Sequence, residues 1–258
     1  MSRISYSSLV LISLWVVAGC QGSPKPSLPD RTALPAGGPL ADAGQLVTVV
    51  SSDWNDFPAV LQRYQRGPSG RWHAVGPEVQ AVLGRHGYGW GRGLHGSARP
   101  VGAEGPLKVE GDGRSPAGVF RIGTIYGYAA ARPAVRMSYQ QASPTLRCVD
   151  DATSRHYNRI VSTESSPVDW SSAEKMRRED DLYVLAIVIE HNVDPVEAGA
   201  GSCIFLHLWN GPDVGMSGCT AMAMNDLEEL ADWLEPGAIL VALPRPEYAA
   251  LRELWSLP

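Results

Sequence analysis

The sequence predicts a mainly β domain with a few helices, α+β in character only beyond its last cysteine, Cys219. Three observations carry this expectation. Apolar, β-branched runs are short and bounded by turn residues, Leu182 to His191 being the clearest. The chain holds 27 glycines and 20 prolines, which cut those runs to strand length. A secure helical period occurs only after Cys219.

Taken in order, Leu46-Val47-Thr48-Val49-Val50 is a β-rich opening strand. Asp56 to Gln65 reads as a short helix or as a second strand before the Gly67-Pro68-Ser69-Gly70 turn. Arg71-Trp72-His73-Ala74-Val75 alternates as a strand does. Gly84 to Gly118 is long, irregular and punctuated by glycine; short strands fit inside it and helices do not. Val119 to Gly123 is a strand after the Ser115-Pro116-Ala117-Gly118 turn. Leu182 to His191 follows, with Cys203 to Trp209 as its sheet neighbour. Asn225 then caps a helix from Asp226 to Leu234 that puts Leu227, Leu230 and Leu234 on one face. Pro236-Gly237 stops it, Ala238 to Leu243 is a final strand, and Pro246 opens a short helix through Leu254.

The first 19 residues read as an export signal. Arg3 gives the positive start, Leu9 to Val17 the apolar run, and Val17-Ala18-Gly19 the small residues before a cleavage point. That run is too short to span a bilayer, which takes about 20 apolar residues. Cys20 stands directly after it, an arrangement that resembles a bacterial lipobox and implies lipid on the Cys20 thiol. An ordinary secretory signal with a chance cysteine is the alternative. Gln21, rather than Asp, points to outer-membrane retention, and so to a periplasm-facing protein of the cell envelope. Residues 20–44, rich in Pro, Gly, Ser and Ala, read as a tether, and residues 45–258 as one domain.

Composition excludes several classes. A net charge of -5 without a long basic run argues against nucleic acid as a partner. Six scattered histidines without an H-E-x-x-H or H-x-H pattern, and cysteines without C-x-x-C spacing, give no metal site. The glycines from Gly87 to Gly93 lack the strand-to-helix setting of a nucleotide loop. No cofactor is therefore expected.

The chemistry concentrates in Gly201 to His207 and, further on, Ser217-Gly218-Cys219. A free thiol with a pKa of about 8.5 is mostly protonated at neutral pH. An imidazole that takes its proton leaves an activated nucleophile. His207 on a strand and Cys219 on a small-residue turn can supply that pair; a satisfied core histidine and a buried cysteine are the plain alternatives. A helix starting just after Cys219 would lower its pKa. With Cys20 assigned to lipid and Cys219 to chemistry, Cys148 and Cys203 remain for a disulfide in an exported protein. Two buried free thiols, or a Cys203–Cys219 bridge that would silence the nucleophile, are the rival arrangements.

Several segments together resemble one family, the YkuD-type L,D-transpeptidase catalytic domain. These are Gly111-Asp112-Gly113-Arg114-Ser115-Pro116-Ala117-Gly118-Val119-Phe120, the strand Phe205-Leu206-His207, the loop Ser217-Gly218-Cys219-Thr220-Ala221-Met222, and Asn225-Asp226-Leu227. Gly237 to Val241 matches the closing strand. The resemblance spans about Pro106 to Leu243, with a large insertion between Ile125 and Asp181. It departs from the family at Met216 and Ser217, where Ser-His is common, at Ala221, where arginine is usual, and at Leu208, where glycine is usual.

The resemblance implies a β-sandwich-like fold and a role for each site residue. Cys219 would attack a carbonyl of a peptidoglycan stem tetrapeptide, with His207 as general base and the backbone N–H groups of Ser217, Gly218 and Cys219 as oxyanion donors. The implied activity is L,D-transpeptidation. An L,D-carboxypeptidase or wall amide hydrolase in the same fold is one alternative, and a catalytically silent wall-binding module another. His191 and Asn192 would support His207, contact substrate, or form an exposed strand end. Asp112 and Arg114 read as turn residues near the cleft, and Trp90, Arg92 and His95 as a lid or glycan contact. Peptidoglycan stem peptides, and a membrane reached through lipid on Cys20, are the expected partners.

Overall fold

A computed structural model of the chain describes Met1, residues 38–97 and residues 99–258. The lipidation position Cys20, and the signal segment apart from Met1, lie outside the described residues. In chain order the elements are β1 (Gln45–Ser51), β2 (Pro58–Arg66), β3 (Trp72–Val82), β4 (Tyr88–Trp90), β5 (Ser115–Gly127), β6 (Tyr139–Gln141), β7 (Leu146–Val149) and β8 (Ile160–Ser162). They continue with β9 (Ala173–Lys175), β10 (Leu185–Ile189), β11 (Phe205–Leu208), β12 (Thr220–Met222), α1 (Met224–Trp233), β13 (Ile239–Pro244) and α2 (Arg245–Leu251). The mainly β expectation holds.

The large sheet closes on itself. Its order is β10-β11-β12-β3-β2-β1-β13-β5, and β10 pairs back onto β5. β4 and β6 add to β5 outside this ring. Closure removes the open edges that an isolated sheet would present. Strands covered on both faces read as unbroken apolar runs, and β1 and β13 do: they pair in parallel from Leu46↔Ile239 to Ser51↔Pro244, nearly all buried. The segment expected at Asp56 to Gln65 resolves as strand from Pro58, because β2 pairs with β1 from Ala59 to Gln65.

α1 buries Leu227, Leu230 and Ala231 and ends at the buried Leu234. Each such leucine stabilises by roughly 1.5–3 kcal/mol. Its N-cap is Ala223 rather than the expected Asn225, with no side-chain capping bond. β12 stands between Cys219 and this helix, so the thiol does not sit at a helix start.

The glycine-rich stretch from Gly84 onward is core, not lid. Trp90 and His95 are buried, and rings run from Trp54 through Trp90 and His95 to Phe120 and Trp255. Glycine is required because backbone passes too close for a side chain. A Cβ on Gly93 would lie 2.2 Å from Val119 O, and one on Gly87 2.1 Å from Trp54 O. Arg92 is committed to Glu197 at 2.6 Å. The lid or glycan contact expected at Trp90, Arg92 and His95 is therefore replaced by packing.

The expected tether also ends earlier than residue 44. Leu40 and Ala43 are buried in the main core, and Arg66 donates to Leu40 O at 2.6 Å and Ala41 O at 2.8 Å. Between β6 and β10 the chain builds a separate three-stranded sheet, β8-β7-β9. A Cys148–Cys203 disulfide ties it to the segment before β11, which removes the rival pairing with Cys219.

Candidate active site

One cleft of about 360 Å³ collects Cys219, His207, Ser217 and Gly218 together with walls from the small sheet. Parallel pairing of β11 with β12 sets Leu206 opposite Thr220 and His207 opposite Ala221, which carries Cys219 to the level of Phe205. The turn that carries Cys219 is pinned from behind. Met216 N donates to Leu83 O at 2.8 Å, and Arg85 N donates to Met216 O at 2.7 Å. Ser115 Oγ accepts from Gly84 N at 2.9 Å and donates to Cys219 O at 3.0 Å. Ser115 thus joins the segment after β3 to the Cys219 carbonyl.

Cys219 is a free thiol and buried. Phe205 N donates to its Sγ at 3.3 Å, and the thiol faces Cys203 O at 3.4 Å. Burial first, and the Glu174 charge second, push its pKa up to about 12. The lowering expected from a following helix is absent, since no helix starts there. The backbone N–H groups of Ser217, Gly218 and Cys219 donate no hydrogen bond among the described residues, so they remain free for an oxyanion.

His207 is also buried, and burial pulls its pKa down to about 4, leaving it neutral at pH 7. Its Nδ1 lies 2.7 Å from Leu208 O. A carbonyl only accepts, so Nδ1 carries the proton and Nε2 keeps its lone pair. That is the tautomer a base needs. Among the hydrogen bonds of the described residues, none joins the thiol to the imidazole directly.

His191 and Asn192 do not reach this cleft. His191 Nδ1 accepts from Arg92 N at 3.2 Å and Nε2 donates to Ala200 O at 3.0 Å; the ring is fully engaged, with its pKa lowered by burial to about 3. Asn192 Nδ2 donates to Glu197 O and Gly201 O at 2.8 and 3.0 Å, and Oδ1 accepts from Glu197 N at 2.9 Å. Rather than supporting His207 or lying exposed, the pair closes the loop that leads to Ser202 and Cys203. Cys203 itself precedes β11 with φ 55°, so the strand expected to start at Cys203 begins only at Phe205. Asp112 holds Lys108 at 2.6 Å, which fixes a lysine on the cleft wall, while Arg114 donates to Tyr88 O and Asn55 Oδ1, each at 2.8 Å.

The sequence reading missed the opposite wall. Glu110 Oε2 accepts from Ser202 Oγ at 2.7 Å and from the Tyr157 hydroxyl. Tyr183 donates to Glu174 Oε2 at 2.5 Å, and its ring meets His207 edge-on at 5.1 Å. Asp150 Oδ1 is buried with no hydrogen-bond partner among the described residues. Nothing local marks these residues. The one available signal was the Cys148-Val149-Asp150 run, once the disulfide is placed.

Searches of curated proteins and of solved structures give no significant match. The sequence profile of one family does match, over residues 80–242, under the description "L,D-transpeptidase catalytic domain". The matched span begins at the end of β3, well before the Pro106 start read from motifs, and takes in β4 and the Cys219 turn. The chain belongs to the YkuD family of L,D-transpeptidase catalytic domains.

Proposed function

We propose that this protein is a peptidoglycan L,D-transpeptidase working through a cysteine acyl-enzyme. The observation that carries the reading is a free thiol, three unspent N–H groups and a neutral imidazole with an open Nε2, all on one cleft. Rotation about Cβ–Sγ turns the thiol hydrogen from Cys203 O towards His207, whose Nε2 takes the proton. Sγ attacks the carbonyl of the third, diamino-acid residue of a stem tetrapeptide. The oxyanion is held by the N–H groups of Ser217, Gly218 and Cys219.

The C–N bond then breaks, and the imidazolium gives its proton to the departing D-alanine amine. An acceptor amine attacks the thioester, loses a proton to His207, and displaces Sγ. One amide replaces another, so no external energy source is needed. Water in place of the amine would make the same acyl-enzyme an L,D-carboxypeptidase.

Intact-mass analysis after exposure to a carbapenem tests the nucleophile. The expected result is one covalent adduct on wild type and none on Cys219→Ala; an adduct on both would remove Cys219 from the role. Muropeptide products then separate the two outcomes, and trimmed monomers without dimers would exclude transpeptidation. We further propose that lipid on Cys20 holds the domain at the periplasmic side of the envelope. Cys20→Ala should move the protein from the membrane to the soluble fraction.

A further inference from the structure

A closed circuit of contacts surrounds the Cys219 thiol. The thiol faces Cys203 O at 3.4 Å, and Cys203 is bridged to Cys148. Cys148 stands directly opposite Glu174 in the β7–β9 ladder. Glu174 accepts from the Tyr183 hydroxyl at 2.5 Å. The Tyr183 ring lies 5.3 Å from Phe205 and 5.1 Å from His207, and Phe205 N returns to the sulfur at 3.3 Å. Cys148 and Glu174 belong to the small sheet, not to the strands that carry the Cys/His pair.

We propose that Glu174 and Tyr183 are positioning residues for the nucleophile: the carboxylate, set in place by the disulfide, captures the Tyr183 hydroxyl and so holds the thiol in its protonated resting form. A phenol has one proton to donate. Tyr183 lies within reach of the Cys219 sulfur for a side-chain hydrogen bond that favours the thiolate. While Glu174 takes the phenol proton that bond is weakened, and a thiolate meets a second negative charge in a buried setting.

The other charged groups on the cleft are otherwise committed. Lys108 pairs with Asp112, and Arg178 pairs with Asp180 while lying over the Tyr183 ring at 4.9 Å. Glu110 is bonded by Ser202 and Tyr157, and His207 faces Leu208 O. Asp150 is the exception, its Oδ1 having no hydrogen-bond partner among the described residues. Glu174 is the one carboxylate bonded to a residue that packs on the base.

The inference rests on Cys219 as nucleophile, yet its test needs no wall peptide. The measurement is the rate of Cys219 alkylation by iodoacetamide against pH in the full chain, read on the Cys219 peptide by mass spectrometry. Glu174→Gln lets the amide donate to the Tyr183 oxygen and frees the hydroxyl for sulfur. Each unit by which the thiol pKa falls raises thiolate tenfold and, after lost nucleophilicity, the rate by about 3-fold.

Glu174→Gln should therefore alkylate at least about 3-fold faster at pH 8. Cys148→Ser/Cys203→Ser should move in the same direction, and Tyr183→Phe in the Glu174→Gln background should cancel the gain. A Glu174→Gln profile that overlays wild type overturns the proposal. A gain that survives removal of the hydroxyl overturns the part given to Tyr183. Should Glu174→Gln fail to fold, reduction of the wild-type disulfide with a phosphine carries the test: unchanged alkylation of Cys219 would overturn it.

Discussion

His207 and His191 are alike in burial, at 4% and 1% exposure, and both are neutral at pH 7. They differ in what their nitrogens touch. His191 uses both on backbone groups, whereas His207 uses Nδ1 alone and turns its other edge to the cleft. A ring whose hydrogen-bonding capacity is saturated is a brace. A ring left with a lone pair beside a thiol turn is equipped for proton transfer. Depressed pKa values do not separate the two; partner counts do.

Substitution at each histidine sharpens the contrast, and the largest effect belongs to the cleft. His207→Gln should slow carbapenem acylation by about 10²–10⁴-fold, the usual worth of a positioned base, with little change in melting temperature. Acylation at the wild-type rate would break the comparison outright. Removing the disulfide, which spans 55 residues of chain, should destabilise the fold by about 4 kcal/mol in the loop-entropy picture, measured by denaturant unfolding. His191→Gln should cost about 1–3 kcal/mol through orphaned backbone groups, while the folded fraction still acylates. Loss of acylation without loss of stability at that position would reverse the assignment.

A further effect, graded by pH, is shared by both sites. His95, His191 and His207 are held below their ordinary pKa of about 6.5, at about 4, 3 and 4, by burial. The unfolded chain therefore binds more protons than the folded one in that interval. Stability contributed by the neutral rings is complete above about pH 6.5 and falls as pH drops towards 4, by about 1.4 kcal/mol per unit for each ring. Glu174, raised by burial, works in the opposite sense and trims the fall. Thermal unfolding followed from pH 7 to pH 4 measures it, and a flat profile would contradict three buried neutral rings.

Local signals made part of this molecule legible. Leu46 to Val50, Leu185 to Ile189 and Ile239 to Leu243 are β-branched or apolar enough to be strands on sight. Cys219, flanked by Gly218, and His207, at the end of an apolar run, stood out for the same reason. Other features depend on distant backbone. Gly87 and Gly93 look like punctuation in a loop, yet each admits a carbonyl from another segment, at Trp54 and Val119. His191 looked like an exposed strand end because its partners, Arg92 and Ala200, come from two other loops. Glu174 and Tyr183 stand nine residues apart, yet neither residue type announces their contact or its place beside the thiol, which follows from the strand pairing of Cys148 with Glu174 and its bridge to Cys203.

One further consequence follows from how Cys219 is kept. Peroxide attacks the anionic form of sulfur, and the first product, a sulfenic acid, leads on to irreversible oxidation. Burial that holds the hydrogen on Cys219 spares it this fate while no acyl donor is bound. On the proposed chemistry, the seclusion of the thiol would preserve it between turnovers.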